Sequence, residues 1–490
     1  MAAEPVLAER SLTSRVRSGV GWTSLSTLST QGLALVRSVV LARLLTKDDF
    51  GLFGMAATLL GALTVLTNMG LDNTVISQKF ESEAELKTQL NTLWTVELGR
   101  RLLLTLFLLV LIVPTAQFYG DRRLLAILPL ISLTPLVQGL QNIGLVLLRK
   151  SVHFAKVVWF EQTSAWLSTA VTLLLAWQTR NVWALVWGQL LSGLLASLLS
   201  YCFHPYRPRL AFEKEAFLRA FHLGRYLLLI GIMTYITTTA DNVVVGKICG
   251  AGVLGAYVVA YSIANLPVSI FSSMLTSVLF PAYSELAQSR REELEQAVVR
   301  VFTVSPALFV LIVTPLVLLS EEVVRLLFGN KWGEAGSLLR ILLFVGFFRG
   351  MAHLYAPLTL GLNLLKQESR AKMGEALLFL VLLPPLTLRL GAAGAAWAGA
   401  VIYLIAFLVR FWIARRVVPE ASKQIPKLCG KAIFAGVCGG LIGMLVLQPI
   451  SGLLWRILVG GSVSLLVTAG LLWLLSPALQ REVRGLRGGE

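Results

Sequence analysis

Val39–Phe53, VVLARLLTKDDFGLF, joins the end of one apolar run to the start of the next. It returns without gaps as Val243–Tyr257, VVVGKICGAGVLGAY, at an offset of 204 residues. At that offset Val39 and Val40 meet Val243 and Val244, Arg43 meets Lys247, Gly51 meets Gly255 and Phe53 meets Tyr257. Further back, Trp22 meets Tyr226, Thr30 meets Thr234, and Arg37 meets Asp241, a charge of opposite sign. A basic residue, a turn glycine and an aromatic in register are more than two apolar helices share by chance. A chain duplicated in this way implies two pseudo-symmetric halves of the kind that membrane transporters use.

Composition sets the class. Of 490 residues, 56% are hydrophobic and only 14% charged, with mean hydropathy +0.75; a soluble domain is ~25% charged. Apolar runs long enough to cross a bilayer, ~20 residues each, fill most of the chain. The net charge of +17 resides in short loops between these runs. That points to membrane orientation and contact with anionic lipid. No basic-aromatic cluster on a soluble segment supports nucleic-acid binding. Cys202, Cys249, Cys429 and Cys438 lie in or beside spans without metal-ligand spacing and read as small apolar residues. No cleavable signal peptide is visible, so the first span is expected to stay in place.

Spans are read near 19–42, 51–76, 89–113, 123–148, 156–177 and 181–203. After a polar segment they resume near 224–247, 253–281, 297–320, 335–362, 371–390 and 392–414, with two more near 429–448 and 453–475. The expected fold is an all-α integral membrane protein of about 14 transmembrane helices. Its parts are an N-terminal segment at 1–18, a six-span N-lobe at 19–203 and an inter-lobe loop at 204–222. A six-span C-lobe at 223–415, two additional spans within 416–475 and a tail at 476–490 follow. Arg100 and Arg101 interrupt the third span, which could instead be a surface helix over 83–99 followed by a span from 102. Assigning Lys and Arg to alternate sides gives 28 on one and 10 on the other. This places both termini and the 204–222 loop in the cytoplasm. Glu321–Gly336, EEVVRLLFGNKWGEAG, is expected to form an interfacial hairpin with Trp332 at headgroup depth.

Several stretches carry a resemblance. They are ARLLTKDDFGLFGMA at 42–56, NMGLDNTVISQK at 68–79, DNVVVGKICGAGVLGAYVVAYSIANLP at 241–267, FPAYSELA at 280–287 and LFGNKWGEAGSLLRIL at 327–342. Over roughly 15–415 the chain resembles the oligosaccharide flippase branch of the multidrug/oligosaccharidyl-lipid/polysaccharide superfamily. That superfamily includes the lipid II flippase and the multidrug and toxin extruders. The resemblance implies two six-helix lobes facing each other across a central cavity, in the bacterial cytoplasmic membrane. It implies movement of a lipid-linked oligosaccharide, of polyprenyl-diphosphate type, from the cytoplasmic to the outer leaflet by alternating access. Other polysaccharide-assembly proteins are candidate partners. No cofactor is expected, and coupling to H+ or Na+ stays open.

A polar sugar head needs a wet cavity, and a diphosphate favours arginine. Intramembrane ionisable residues are therefore the candidates. The first span offers Trp22, Thr30 and Arg37 on one face, and the seventh offers Tyr226, Thr234 and Asp241. Asp72, Glu97, Arg100 and Arg101 lie on the second and third spans, and Arg349 and His353 share a face of the tenth. Each has a plainer reading. Arg37 could snorkel, Arg100 and Arg101 could mark an interface, Asp72 and Glu97 could be half-solvated, and Trp22 and Tyr226 could be belt aromatics. The Ser and Thr side chains could be packing glue. Because Arg37 and Asp241 are equivalent in the repeat, they form a candidate outer-gate pair. Their pairing would bias access by ~1–3 kcal/mol, and protonation of Asp241 would release it.

Two other classes compete. A multidrug cation antiporter on the same fold needs a net acidic cavity. A membrane polysaccharide polymerase or acyltransferase needs a catalytic cluster. His153, His204, His222 and His353 are dispersed and no nucleophile or zinc motif stands in a suitable context, so no enzyme is expected.

Overall fold

Thr46 separates the first two helices. Its hydroxyl accepts from the Asp49 N–H at 3.2 Å, while Asp49 Oδ2 accepts from the Thr46 N–H at 2.9 Å and from the hydroxyl at 2.6 Å. This is a reciprocal capping box, with Thr46 as the cap of a helix that starts at Lys47. The computed structural model describes residues 26–67, 75, 80, 82–150, 154–289, 291–362 and 364–481.

In chain order the helices begin with α1 over residues 26–44. Then come α2 (Lys47–Thr67), α3 (Glu83–Val110), α4 (Ile112–Tyr119), α5 (Leu124–Ser132), α6 (Thr134–Gly139) and α7 (Leu145–Lys150). α8 (Phe154–Thr179), α9 (Trp183–Phe203), α10 (Lys214–Cys249), α11 (Ala251–Ser289) and α12 (Arg291–Leu318) follow. The series closes with α13 (Ser320–Phe328), α14 (Gly333–His353), α15 (Ala356–Gly361), α16 (Leu365–Leu390), α17 (Ala392–Val417) and α18 (Pro419–Leu447). The last, α19 (Leu453–Leu475), contains a π-helical turn at Arg456–Gly460. No strand occurs among the described residues.

A helical segment stands at each expected span. Among the described residues nine are long and apolar enough to cross a membrane, or ten if α3 and α4, bent by 49°, form one span. The remaining places are held by α1, the broken α5–α6 pair, α8 and α10. Pro129 and Pro135 fall in that broken pair, and each removes a backbone donor. Arg100 and Arg101 do not interrupt α3, which is continuous from its Ser82 cap to Val110. The bend comes well beyond them, nearly three turns after Arg101, at Leu111. Leu103, Phe107 and Val110, on one face of α3, are more than half exposed. Such a face is satisfied by lipid, as a multi-pass membrane protein requires.

The chain divides by packing into two units, one ending at Gly255 and the other starting at Ala256. In the first, α2 packs on α10, α5 and α3, and α8 packs on α9. α10, the repeat equivalent of α1, thus belongs to this unit. It spans 36 residues, or ~54 Å at 1.5 Å per residue, and absorbs the second half of the polar 204–222 segment. In the second unit α12 packs on α18 and α14, α16 on α17, α17 on α14, and α18 on α19.

One expectation is corrected here. Trp332 does not face lipid headgroups, because it is wholly buried, with its ring 6.4 Å from that of Phe328. Ser320, Val324 and Phe328, four residues apart on α13, face inward. Gly329, at φ +95°, turns the chain so that Trp332 follows them. The alternating charges of Glu321, Glu322 and Arg325 occupy the other side of that short helix.

Candidate functional site

The first unit holds a charged cluster on α3. Glu97, Arg100 and Arg101 share a face because residues three and four apart are helical neighbours. Arg100 donates to both Glu97 oxygens at 2.9 and 2.5 Å and to the Thr67 hydroxyl on α2 at 2.6 Å. Arg101 donates to Glu97 at 2.7 Å and to Gln138 on α6 at 3.1 Å. Gly139 makes room, since a methyl there would come within 2.9 Å of the Arg101 side chain. One carboxylate answers two guanidinium groups, which leaves the trio with a net positive charge. A cavity of about 130 Å³ opens beside it, lined by Trp94, Glu97, Arg101, Gln138 and Arg149.

The other first-unit candidates are dispersed. Thr30 accepts from Gln162 of α8 at 2.9 Å. The same amide reaches Ser26, and Ser29 donates back to it at 2.8 Å. These bonds join α1 to α8, the packing role left open for such hydroxyls. Arg37 is half-buried on α1, Asp241 is buried on α10 and accepts from the Asn242 N–H at 2.9 Å, and Thr234 is half-buried. No ion pair joins Arg37 to Asp241 among the described residues. Trp22 and Asp72 lie outside the described residues, as does the Tyr226 side chain.

In the second unit Arg349 of α14 is 6% exposed. It donates to the Tyr261 hydroxyl and to Asn265 Oδ1, both on α11. Its guanidinium lies 5.4 Å from the Tyr261 ring centroid and 5.7 Å from that of Tyr403 on α17. Those are cation–π distances. All of these partners are formally neutral; no carboxylate pairs with Arg349 among the described residues, and its Nε has no partner there. His353, one turn on, is exposed and bonds Ser272 Oγ at 2.9 Å.

Sequence reasoning missed a second buried guanidinium. Arg410 of α17, 4% exposed, donates to Glu368 at 2.6 Å and to Glu375, both on α16. Its charge had been counted among the 28 on the cytoplasmic side, although it falls inside the span read at 392–414. Two signals were available: Arg410 stands inside the run VIYLIAFLVRFW, and the two glutamates are seven residues, two helical turns, apart. The same unit holds an apolar groove of about 850 Å³ between α12, α14 and α18. Val310, Val317, Phe344 and Met444 line it, and Glu322 and Arg456, paired at 3.0 Å, stand at one end.

Apolar outer faces, paired charges between helices and an apolar groove define a polytopic helical membrane protein. The chain belongs to the polysaccharide biosynthesis protein family, which matches residues 40–337. It is 28% identical over 355 residues to lipopolysaccharide biosynthesis protein WzxC of Escherichia coli (strain K12), covering 70% of this chain and 69% of that one. It is 28% identical over 327 residues to succinoglycan biosynthesis transport protein ExoT of Rhizobium meliloti (strain 1021), covering 67% of this chain and 65% of that one. The fold matches that of the lipid II flippase MurJ in an inward closed conformation, with TM-score 0.72 at 15% identity, over 94% of this chain and 99% of that one.

Proposed function

We propose that this protein is a flippase that carries a lipid-linked oligosaccharide or polysaccharide precursor across the cytoplasmic membrane. The observation that carries the reading is Arg349. A buried cation among helices is costly unless something anionic answers it, and here the surrounding side chains are tyrosines and an asparagine. A diphosphate answers a guanidinium with paired, charge-assisted hydrogen bonds. The net positive trio on α3 offers a second such contact, and the apolar groove suits a prenyl chain. The names of the relatives, a transport protein and a biosynthesis protein for exported saccharides, agree with this. Arg37, Asp241 and His353 are retained as further residues of the path. Polyprenyl-diphosphate linkage, inner-membrane residence with cytoplasmic termini, contact with other assembly proteins and coupling to H+ or Na+ belong to the same proposal. A multidrug cation antiporter fits less well, because Glu97, Glu368 and Glu375 are each bound by arginine.

The test replaces Arg37, Arg100 or Arg349 by Ala and measures saccharide export at matched membrane abundance. Export falls in each, and Arg349→Lys recovers only part of it, because an ammonium cannot make the two-point contact. The loss at Arg349 is on the order of tenfold or more, since one hydrogen bond to a charged group is worth ~1.5–3 kcal/mol. Unchanged export by all three Ala variants would sink the anion-clamp reading.

A further inference from the structure

The repeat glycines Gly51 and Gly255 do more than turn the chain. A Cβ on Gly51 would overlap the carbonyl of Ala251, and a Cβ on Gly255 would overlap the carbonyl of Lys47. These are the same contact made twice. Lys47 and Ala251 are equivalent at the 204-residue offset, as are Gly51 and Gly255. The first turns of α2 and α11 therefore cross backbone to backbone, and each half-repeat supplies the glycine that admits the other's carbonyl. Cα–H···O contacts of this kind hold helices at closest approach. The Gly255 Cβ position is also only 3.1 Å from the Gly51 nitrogen.

Two neighbouring features secure the crossing. Asp48 Oδ1 lies 2.9 Å from the Cβ position of Gly252, again its equivalent at the repeat offset. It thereby sets a carboxylate against the N-terminus of α11, where helix dipoles favour negative charge. Deeper along α2, the Tyr235 hydroxyl of α10 donates to the Thr58 carbonyl at 2.6 Å. Gly61 accommodates that phenol, with its Cβ position 2.8 Å from the tyrosine oxygen.

We propose that the reciprocal Gly51–Gly255 crossing is a gate made of backbone: it shuts one end of the transport path and must part for that end to open. It rests on the transport reading above. The charge distribution assigns this end to the outside. Such a contact has two well-defined states, touching or apart, because nothing larger than hydrogen fits between the chains.

The test uses the full chain with Cys202, Cys249, Cys429 and Cys438 replaced by Ser, and adds Asp48→Cys and Gly252→Cys. The Gly252 Cβ position stands 3.9 Å from Asp48 Cγ, within reach of a disulfide after small adjustment. Oxidation in membranes without substrate is expected to join the pair. Adding Gly51→Ala or Gly255→Ala is expected to lower the yield about tenfold, the shift of an even two-state balance by one decade. Gly32→Ala, whose methyl meets nothing within 4 Å, leaves the yield unchanged and controls for folding, with monodispersity checked for each variant. Yields unaffected by either gate glycine substitution would overturn the proposal. In the parent pair the disulfide is expected to stop movement of a lipid-linked saccharide, and reduction to restore it. Equal movement by oxidised and reduced protein would also overturn the proposal. If the reduced protein moves nothing while the disulfide keeps its glycine dependence, it is the transport reading that fails.

Discussion

Arg349 and Arg410 sit in one unit, equally buried, and are neutralised in opposite ways. Arg410 has two carboxylates fixed to one helix, and Arg349 has tyrosine faces and an amide. Arg410 is therefore a structural tie between α16 and α17, and its removal strands Glu368 and Glu375. Arg410→Ala is expected to destabilise the protein by ~3–5 kcal/mol, the usual cost of breaking a buried pair. Replacing Arg410, Glu368 and Glu375 together by Leu or Met costs less than that single change, because no charge is left buried. Thermal unfolding in detergent distinguishes the two, and a triple variant less stable than Arg410→Ala would contradict the account. Arg349 was legible from sequence because a lone arginine interrupts LLFVGFFRGMA. The run around Arg410 was equally interrupted, but Arg410 lay close to Arg415 and Arg416 and was counted with them on the cytoplasmic side. Nothing in one sequence says which acids a mid-span arginine will meet on another helix.

At the scale of elements, the connection between the halves is strapped rather than loose. Residues 204–213 run extended along α3. The N–H groups of Arg209, Ala211 and Glu213 donate to Asn91, Thr95 and Thr92 at 2.9, 3.0 and 3.2 Å. Alternate residues of an extended chain are thus met by side chains from one helical face. His204 Nδ1 accepts from the Tyr206 N–H at 3.1 Å, which requires that nitrogen to be unprotonated. Burial, and then the charges of Lys156 and Arg207, hold this imidazole below its ordinary value of 6.5. The folded strap thus favours neutral His204. Its contribution is complete above about pH 6.5 and is lost progressively as pH falls below that. Hydrogen exchange at the Arg209, Ala211 and Glu213 amides is expected to be faster at pH 5.5 than the intrinsic rate change allows, and His204→Gln to remove the difference. Protection at pH 5.5 equal to that above about pH 6.5 would contradict this. The spans themselves were legible because apolar length is a strong signal. The strap was not, since its partners Asn91, Thr92 and Thr95 are polar residues of a helix that sequence alone left ambiguous at Arg100. The continuity of α3 follows from Glu97, which pairs both arginines and lets the helix carry them inward.

For the whole molecule, the 28 to 10 division of basic residues predicts cytoplasmic termini and a cytoplasmic inter-lobe segment. Arg410, buried between helices, leaves that count, and the excess persists without it. Single cysteines at Ser11, Lys214 and Gly488 are expected to resist an impermeant thiol reagent in intact cells and to react after permeabilisation. Labelling of any of them from outside would reverse the orientation. The duplication was visible at Gly51 and Gly255 as a pattern, but its consequence, two carbonyls admitted reciprocally, required coordinates. The central claim is that these helices move a lipid-linked saccharide between leaflets. The most direct measurement reconstitutes the purified chain in vesicles carrying a polyprenyl-diphosphate oligosaccharide and adds an external glycosidase. Lipid in the outer leaflet, about half in a symmetric bilayer, is cut at once, and only flipping exposes the rest. The account predicts nearly complete cleavage with the wild-type chain and cleavage that stalls near half with Arg349→Ala. Cleavage that stalls near half with the wild-type chain, as in protein-free vesicles, would contradict it.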